Sequence, residues 1–155
     1  MTDEDRNALR AWLELLTASN AIKKSVDTTL RREFGVSISR FDVLSALDRA
    51  APSGLRAGDL SQRLMVTEGN ITQVTYPLIR DGLVRRAVNR DDKRVAIFKL
   101  TKKGQRLFTQ MADEHRHWVS EAFSDLSDTQ IISFRKLLGK LNLPLDINET
   151  GKDAA

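Results

Sequence analysis

Residues 67–101 read TEGNITQVTYPLIRDGLVRRAVNRDDKRVAIFKLT. The first part has helix chemistry. Thr67 is a good N-cap, and Ile71, Val74 and Leu78 recur on one apolar stripe of an otherwise polar rod. Asp81-Gly82 stops the helix, because glycine enters the left-handed conformation without a Cβ penalty. Two β-rich runs follow, 83–88 and 95–100, separated by Asn89-Arg90-Asp91-Asp92-Lys93-Arg94. That pattern predicts a hairpin with a long charged tip.

Charge gives the helix and hairpin a purpose. Residues 80–106 carry ten bases (Arg80, Arg85, Arg86, Arg90, Lys93, Arg94, Lys99, Lys102, Lys103 and Arg106) against the acids Asp81, Asp91 and Asp92. This stretch is net +7 in a chain that is only +4, so the remainder sums to −3. Positive charge gathered on a hairpin beside a polar-faced helix is an electrostatic footprint for a polyphosphate. A helix of that kind fits the major groove of double-stranded DNA, where every base pair shows a distinct donor and acceptor pattern. The expected class is mainly α, a winged helix-turn-helix.

Composition narrows the alternatives. With 155 residues the chain is long enough for one core and short for two domains. It has no cysteine, which excludes a disulfide framework, a thiolate nucleophile and a zinc–thiolate site. No apolar run approaches a membrane span, and MTDEDRNALR is too polar for a signal peptide, so a cytoplasmic protein without a membrane partner is expected. The sequence pI of about 9.6 agrees with a nucleic-acid partner. Catalytic residues are not expected. There is no Gly-x-Ser-x-Gly, no phosphate-cradling glycine loop and no His-Glu-x-x-His.

Outward from the central stretch, residues 5–34 lack glycine and proline, and Leu9, Trp12, Leu16, Ile22, Val26 and Leu30 fall near helical spacing. A helix that long cannot bury itself, so its outer end is expected in a homodimer interface. Ser39-x-x-Asp42 is a weak capping box for a helix to Ala50, and Ala51-Pro52-Ser53-Gly54 is a turn. Leu55-Arg56-Ala57 is expected to open a short helix ending near Leu64, which pairs with the recognition helix. After Thr101-Lys102-Lys103-Gly104, a second long helix carries Phe108, Met111, His115, Val119, Ala122 and Leu126. Ser127-x-x-Gln130 caps a last helix with Ile131, Phe134, Leu138 and Leu141 before Pro144, and the tail 146–155 is expected to be disordered. The topology is four helices, a hairpin and two helices.

Side-chain types assign the candidate contacts. With Ile71, Val74 and Leu78 inward, Thr67 at the cap and Gly69, Asn70, Thr72, Gln73 and Tyr76 turn toward the groove or its rim. Asn and Gln pair bidentately with adenine, and threonine meets a thymine methyl. Arg94 suits the enhanced negative potential of an A·T-rich minor groove. Asp92 would be repelled by phosphate, so its better use is to hold and aim Arg94 or to brace the wing. Arg90 and Lys93 fit phosphate contacts. Pro77, inside the helix, predicts a bend or early loosening through its clash at the Gln73 carbonyl. His115 and His117 sit two apart on a helix and cannot share an ion, so no metal is expected and a core or interface histidine is the better assignment.

The segments GNITQVTYPLIRDGLV (69–84), DDKR (91–94) and LTKKG (100–104) resemble the MarR (multiple-antibiotic-resistance regulator) family of bacterial transcription factors. Asp92-x-Arg94 is similar to that family's wing signature. The resemblance implies one domain over 1–145, with the winged helix-turn-helix at 36–100 and dimerisation helices at 5–35 and 102–143. It implies a pseudo-palindromic operator, repression, and no cofactor. Release would come from a small organic effector: an aromatic acid, a phenolic compound or an acyl-CoA. Trp12, Leu16, Phe34, Arg40, Phe41 and Met111 are positions where such a ligand would be lined. The chain departs from the family pattern at Arg56, where serine or threonine is usual and where the change either weakens the helix start or places a phosphate-binding arginine, and at Pro77, where arginine or lysine is common. Lacking cysteine, it is without the peroxide-sensing chemistry of some members. Two other functions compete. A protein-docking winged helix should carry exposed aromatics instead of ten bases. A sequence-independent architectural protein should carry an apolar wedge at the tip, which 89–94 lacks.

Overall fold

Helix α1 (Asp3–Phe34) begins where Thr2 and Asp5 cap each other, the Thr2 N–H donating to Asp5 Oδ2 at 2.8 Å and the Asp5 N–H to Thr2 Oγ1 at 3.1 Å. Acids in its first turn and Arg31 and Arg32 in its last complement the helix dipole. Gly35, at φ 67°, ends it. The computed structural model describes residues 2–143, so Pro144 and the tail 146–155 lie outside the described residues. The described residues form two compact units, the first ending at Trp118 and the second beginning at Val119.

In the first unit, α1 is followed by α2 (Ile38–Arg49), β1 (Leu55–Arg56), α3 (Ala57–Leu64), α4 (Glu68–Arg80), β2 (Val84–Val88) and β3 (Ala96–Leu100). Helix α5 (Lys102–Ala122) begins there, and α6 (Asp128–Leu138) lies in the second unit. Helix α2 is the centre of the core, burying Phe41, Val43, Leu44, Ala46 and Leu47. Around it pack Leu30, Leu60, Ile71, Leu78, Val84, Phe98 and Met111.

Ser37, not Ser39, caps α2. Ser37 has extended backbone, and its side chain accepts from the Arg40 N–H at 3.3 Å, whereas Ser39 is already inside the helix. Asp27 of α1 adds a second cap, its Oδ1 accepting from the Ile38 N–H at 2.8 Å. That bond, with Arg31 as a lesser contributor, holds the Asp27 carboxyl below the usual range. Periodicity alone could not see a cap supplied from another helix.

Leu55-Arg56 does not open α3. It forms a short strand antiparallel to β3, with Leu55 opposite Phe98 and Arg56 opposite Ile97, in a sheet ordered β1-β3-β2. A two-residue strand has no period to read, and its partner lies far along the chain. Nor does Pro77 loosen α4, which continues to Arg80, with the Asp81 N–H donating to the Pro77 carbonyl at 2.9 Å. Buried Ile71, Thr75 and Leu78 on either side of the lost bond hold the helix to the core. The apolar pattern also overruns two helix ends: Leu126 lies in the turn after α5, and Leu141 beyond the end of α6. The Ser127–Gln130 capping box forms as expected, and Phe123 and Phe134 lie 6.3 Å apart between ring centroids in the second unit.

LTKKG ties the end of α4 to the start of α5. Thr101 Oγ1 donates to the Gly82 carbonyl at 2.6 Å and accepts from the Gly104 N–H at 3.0 Å. Lys103 Nζ donates to the Asp81 carbonyl at 2.9 Å, serving α4 as a C-terminal cation. Gly104 is buried, and a Cβ there would collide with the Leu83 backbone carbonyl. Gly104→Ala should therefore destabilise the fold by about 1–3 kcal/mol, the usual cost of overpacking. A urea unfolding midpoint equal to wild type would show that the joint has slack which the packing does not suggest.

Candidate nucleic-acid interface

Thr67 starts α4 by accepting the Asn70 N–H at 3.3 Å. Ile71, Thr75 and Leu78 are then buried and Val74 half-buried, leaving Gly69, Asn70, Thr72, Gln73 and Tyr76 exposed along the helix. Thr75 enters the core because its hydroxyl is satisfied internally, donating to the Ile71 carbonyl at 2.8 Å. A polar residue type conceals that position from the hydrophobic pattern.

The wing tip is a built loop. The Asn89 N–H donates to the Val95 carbonyl at 2.9 Å, and the Asp91 N–H to Asn89 Oδ1 at 3.0 Å. Asp92 is its hub. Its Oδ1 accepts from the Arg94 N–H at 3.0 Å and from Arg94 Nε at 3.2 Å, and its Oδ2 from Arg94 Nη2 at 3.4 Å. These side-chain and backbone bonds lower the Asp92 pKa, with Arg56 contributing a weaker attraction. The Arg94 side chain nevertheless remains 91% exposed, against 39% for Asp92. The carboxylate thus orients a guanidinium that still projects into solvent. Arg90 and Lys93 flank it, both exposed.

Between α4 and the hairpin runs a groove of about 660 Å³, lined by Thr72, Tyr76 and Ile79 on one side and Arg86, Arg94 and Phe98 on the other. Arg56 and Gly58 close one end at the start of α3, with Glu68 beside them. Arg86 is not among the contacts that the sequence assigns, and Arg56 enters there only as one of two readings of its departure from the family pattern. Alternation could have found Arg86, which shares a strand face with Val84 and lies opposite Phe98. Arg56 occupies the N-cap of α3 and makes no capping hydrogen bond, so the basic side chain stands where a hydroxyl would have been consumed locally.

The six effector candidates separate. Phe41 and Met111 are core, Phe34 and Arg40 are half-buried, and Trp12 and Leu16 are 54% and 39% exposed on α1. None of them lines the groove. His115 packs against Phe41 at 4.8 Å between centroids, the rings tilted by 34°, and burial lowers its pKa. Among the described residues no three His, Cys, Asp or Glu side chains gather as a metal site, and no helix is long and apolar enough to cross a membrane.

A helix-turn-helix with an exposed polar recognition face, joined to a basic hairpin whose tip presents one oriented arginine, defines a winged-helix DNA-binding regulator. A family model described as "MarR family" matches residues 34–95. The HTH-type transcriptional repressor YetL of Bacillus subtilis is 31% identical over 132 residues, covering 83% of this chain and 79% of YetL. The transcriptional activatory protein BadR of Rhodopseudomonas palustris is 28% identical, over 96% of this chain and 87% of BadR. The crystal structure of a mutant MarR from Escherichia coli complexed with operator DNA superposes with a TM-score of 0.78 at 21% identity, over 92% of this chain and 100% of that one. The chain belongs to the MarR family of transcriptional regulators, and is not an enzyme.

Proposed function

We propose that this protein is a dimeric, sequence-specific repressor that binds a pseudo-palindromic operator and leaves it when a small organic effector binds. The observation that carries the DNA reading is the Asp92–Arg94 fork, a preset orientation of one exposed guanidinium beside a polar helix. In this reading Asn70, Thr72 and Gln73 read base edges, and Arg94 enters the neighbouring minor groove. Thr67, Gly69 and Tyr76 line the rim, while Arg90 and Lys93 hold phosphates.

A second copy of the chain is the proposed cover for two apolar surfaces. Leu9, Trp12, Leu13 and Leu16 form one exposed stripe on α1 at helical spacing, and Ile132 and Leu137 are exposed on α6. Two reading heads on a two-fold axis would meet half-sites about 34–36 Å apart. Repression is the sign that YetL's name carries, while BadR's carries the opposite. The effector, an aromatic acid, a phenolic compound or an acyl-CoA, rests on the family alone.

Selection of bound sequences from random duplex DNA tests the reading. The expected product is an inverted repeat with half-site centres about one helical turn apart. Enrichment of no sequence would replace a specific regulator by an architectural protein.

A further inference from the structure

The hairpin has two faces, and only one looks at the recognition helix. Register places Val84, Arg86 and Val88 of β2 on the same side as Leu100, Phe98 and Ala96 of β3. Arg86, Phe98 and Ala96 line the groove beside α4, so this is the inner face. Arg85 lies directly opposite Lys99, and Ala87 opposite Ile97, on the outer face.

Two like charges facing each other across an antiparallel pair, with Cβ atoms about 4.5–5.5 Å apart, destabilise a hairpin. No acid occupies the outer-face positions of these two strands, and neither cation has a hydrogen bond or ion pair among the described residues. The Lys99 stem is packed on one side. A Cβ on Gly54 would meet Lys99 Cγ at 2.6 Å, so the turn before β1 lies against that stem. An unfavourable pair of cations, one of them braced, is relieved by an anion held between them.

We propose that Arg85 and Lys99 clamp a DNA backbone phosphate outside the half-site, so that the footprint of each subunit continues past its wing. This rests on the operator-binding reading above. With α4 in a major groove and the tip in the adjacent minor groove, the inner face of the wing is turned to the half-site. The outer face then looks along the duplex toward flanking phosphates, whose contact is independent of sequence. Arg86 and Arg94 cannot make that contact, because they belong to the groove on the other side of the hairpin.

The test uses the selected operator as two duplexes, one ending at the outer edges of the half-sites and one carrying about ten further base pairs, roughly one helical turn, on each side. The full-length wild type and an Arg85→Gln/Lys99→Gln variant are titrated against both, each over a range of salt. Wild type should bind the long duplex more tightly and with a steeper salt dependence. The variant should bind the short duplex like wild type and lose the advantage of the long one, its salt slope there flattening by about 2, or about 0.9 per phosphate for one phosphate per subunit. Its thermal unfolding midpoint should not fall, since the change removes a repulsion and keeps both stems.

Equal weakening on both duplexes would place the two cations inside the half-site footprint and overturn the proposal. So would no change on either, which would leave them solvated. Wild type that gains nothing from the flanks, while binding the short duplex specifically, would overturn this inference alone. Wild type that binds neither would remove the operator reading, and this inference with it.

Discussion

Operator affinity should fall by about 10³–10⁵-fold when salt rises from about 50 to about 200 mM, if the two subunits neutralise about six to ten phosphates. The basis is the charge of residues 80–106, which is net +7 while the rest of the chain is net −3. The basic side chains are mostly spread over exposed positions. Arg85, Arg86, Arg90, Lys93, Arg94, Lys102, Lys103 and Arg106 are all exposed, while Lys99 is half-buried. Engaged in internal ion pairs, they would release few counterions. Among the described residues only Arg80 and Arg94 of the ten form ion pairs, with Asp81 and Asp92. A titration showing affinity nearly independent of salt would sink the electrostatic argument, whatever the sequence preference.

Removing the Asp92 carboxylate should weaken specific binding, although it deletes a negative charge from a DNA-facing loop. Simple charge counting gives the opposite sign, since one acid fewer helps phosphate approach. The loop geometry decides between them. Asp92 accepts three hydrogen bonds from Arg94, one from its backbone and two from its guanidinium, while most of the arginine stays in solvent. Without the carboxylate the guanidinium samples many rotamers and the tip loses a brace, so ordering it on DNA costs more. Arg94→Ala should lose specific binding without loss of stability, because an exposed tip supports no core. In a double-mutant cycle, Asp92→Ala and Arg94→Ala should couple by about 0.5–3 kcal/mol. Tighter binding by Asp92→Ala, with additive effects, would leave only a basic loop.

The same pair is the place where sequence and structure agree in most detail. The acid two residues before an arginine, in a tip with no apolar residue, is enough to suggest that one aims the other. The helices are also legible in kind. Local forces make them: side-chain caps at Thr67 and Ser127, glycine stops at Gly35 and Gly82, and apolar stripes that need a core. The exposed set on α4 follows from the same stripe, because burying Ile71 and Leu78 leaves Thr72, Gln73 and Tyr76 outside.

What the sequence determined by itself is therefore whatever a few neighbouring residues settle among themselves: helix kinds, the hairpin, and the oriented charge at its tip. Only tertiary structure decided the rest. Asp27 reaches from α1 to cap α2, Leu55-Arg56 becomes a strand because β3 is there to pair with it, and Gly104 is required because Leu83 occupies the space of its Cβ. Pro77 stays helical because the residues around it are buried, and Arg86 becomes a groove residue because α4 packs beside its face of the sheet. In each case the deciding partner is remote along the chain or is the packed core itself, and no local pattern encodes a contact whose other half is supplied by the fold.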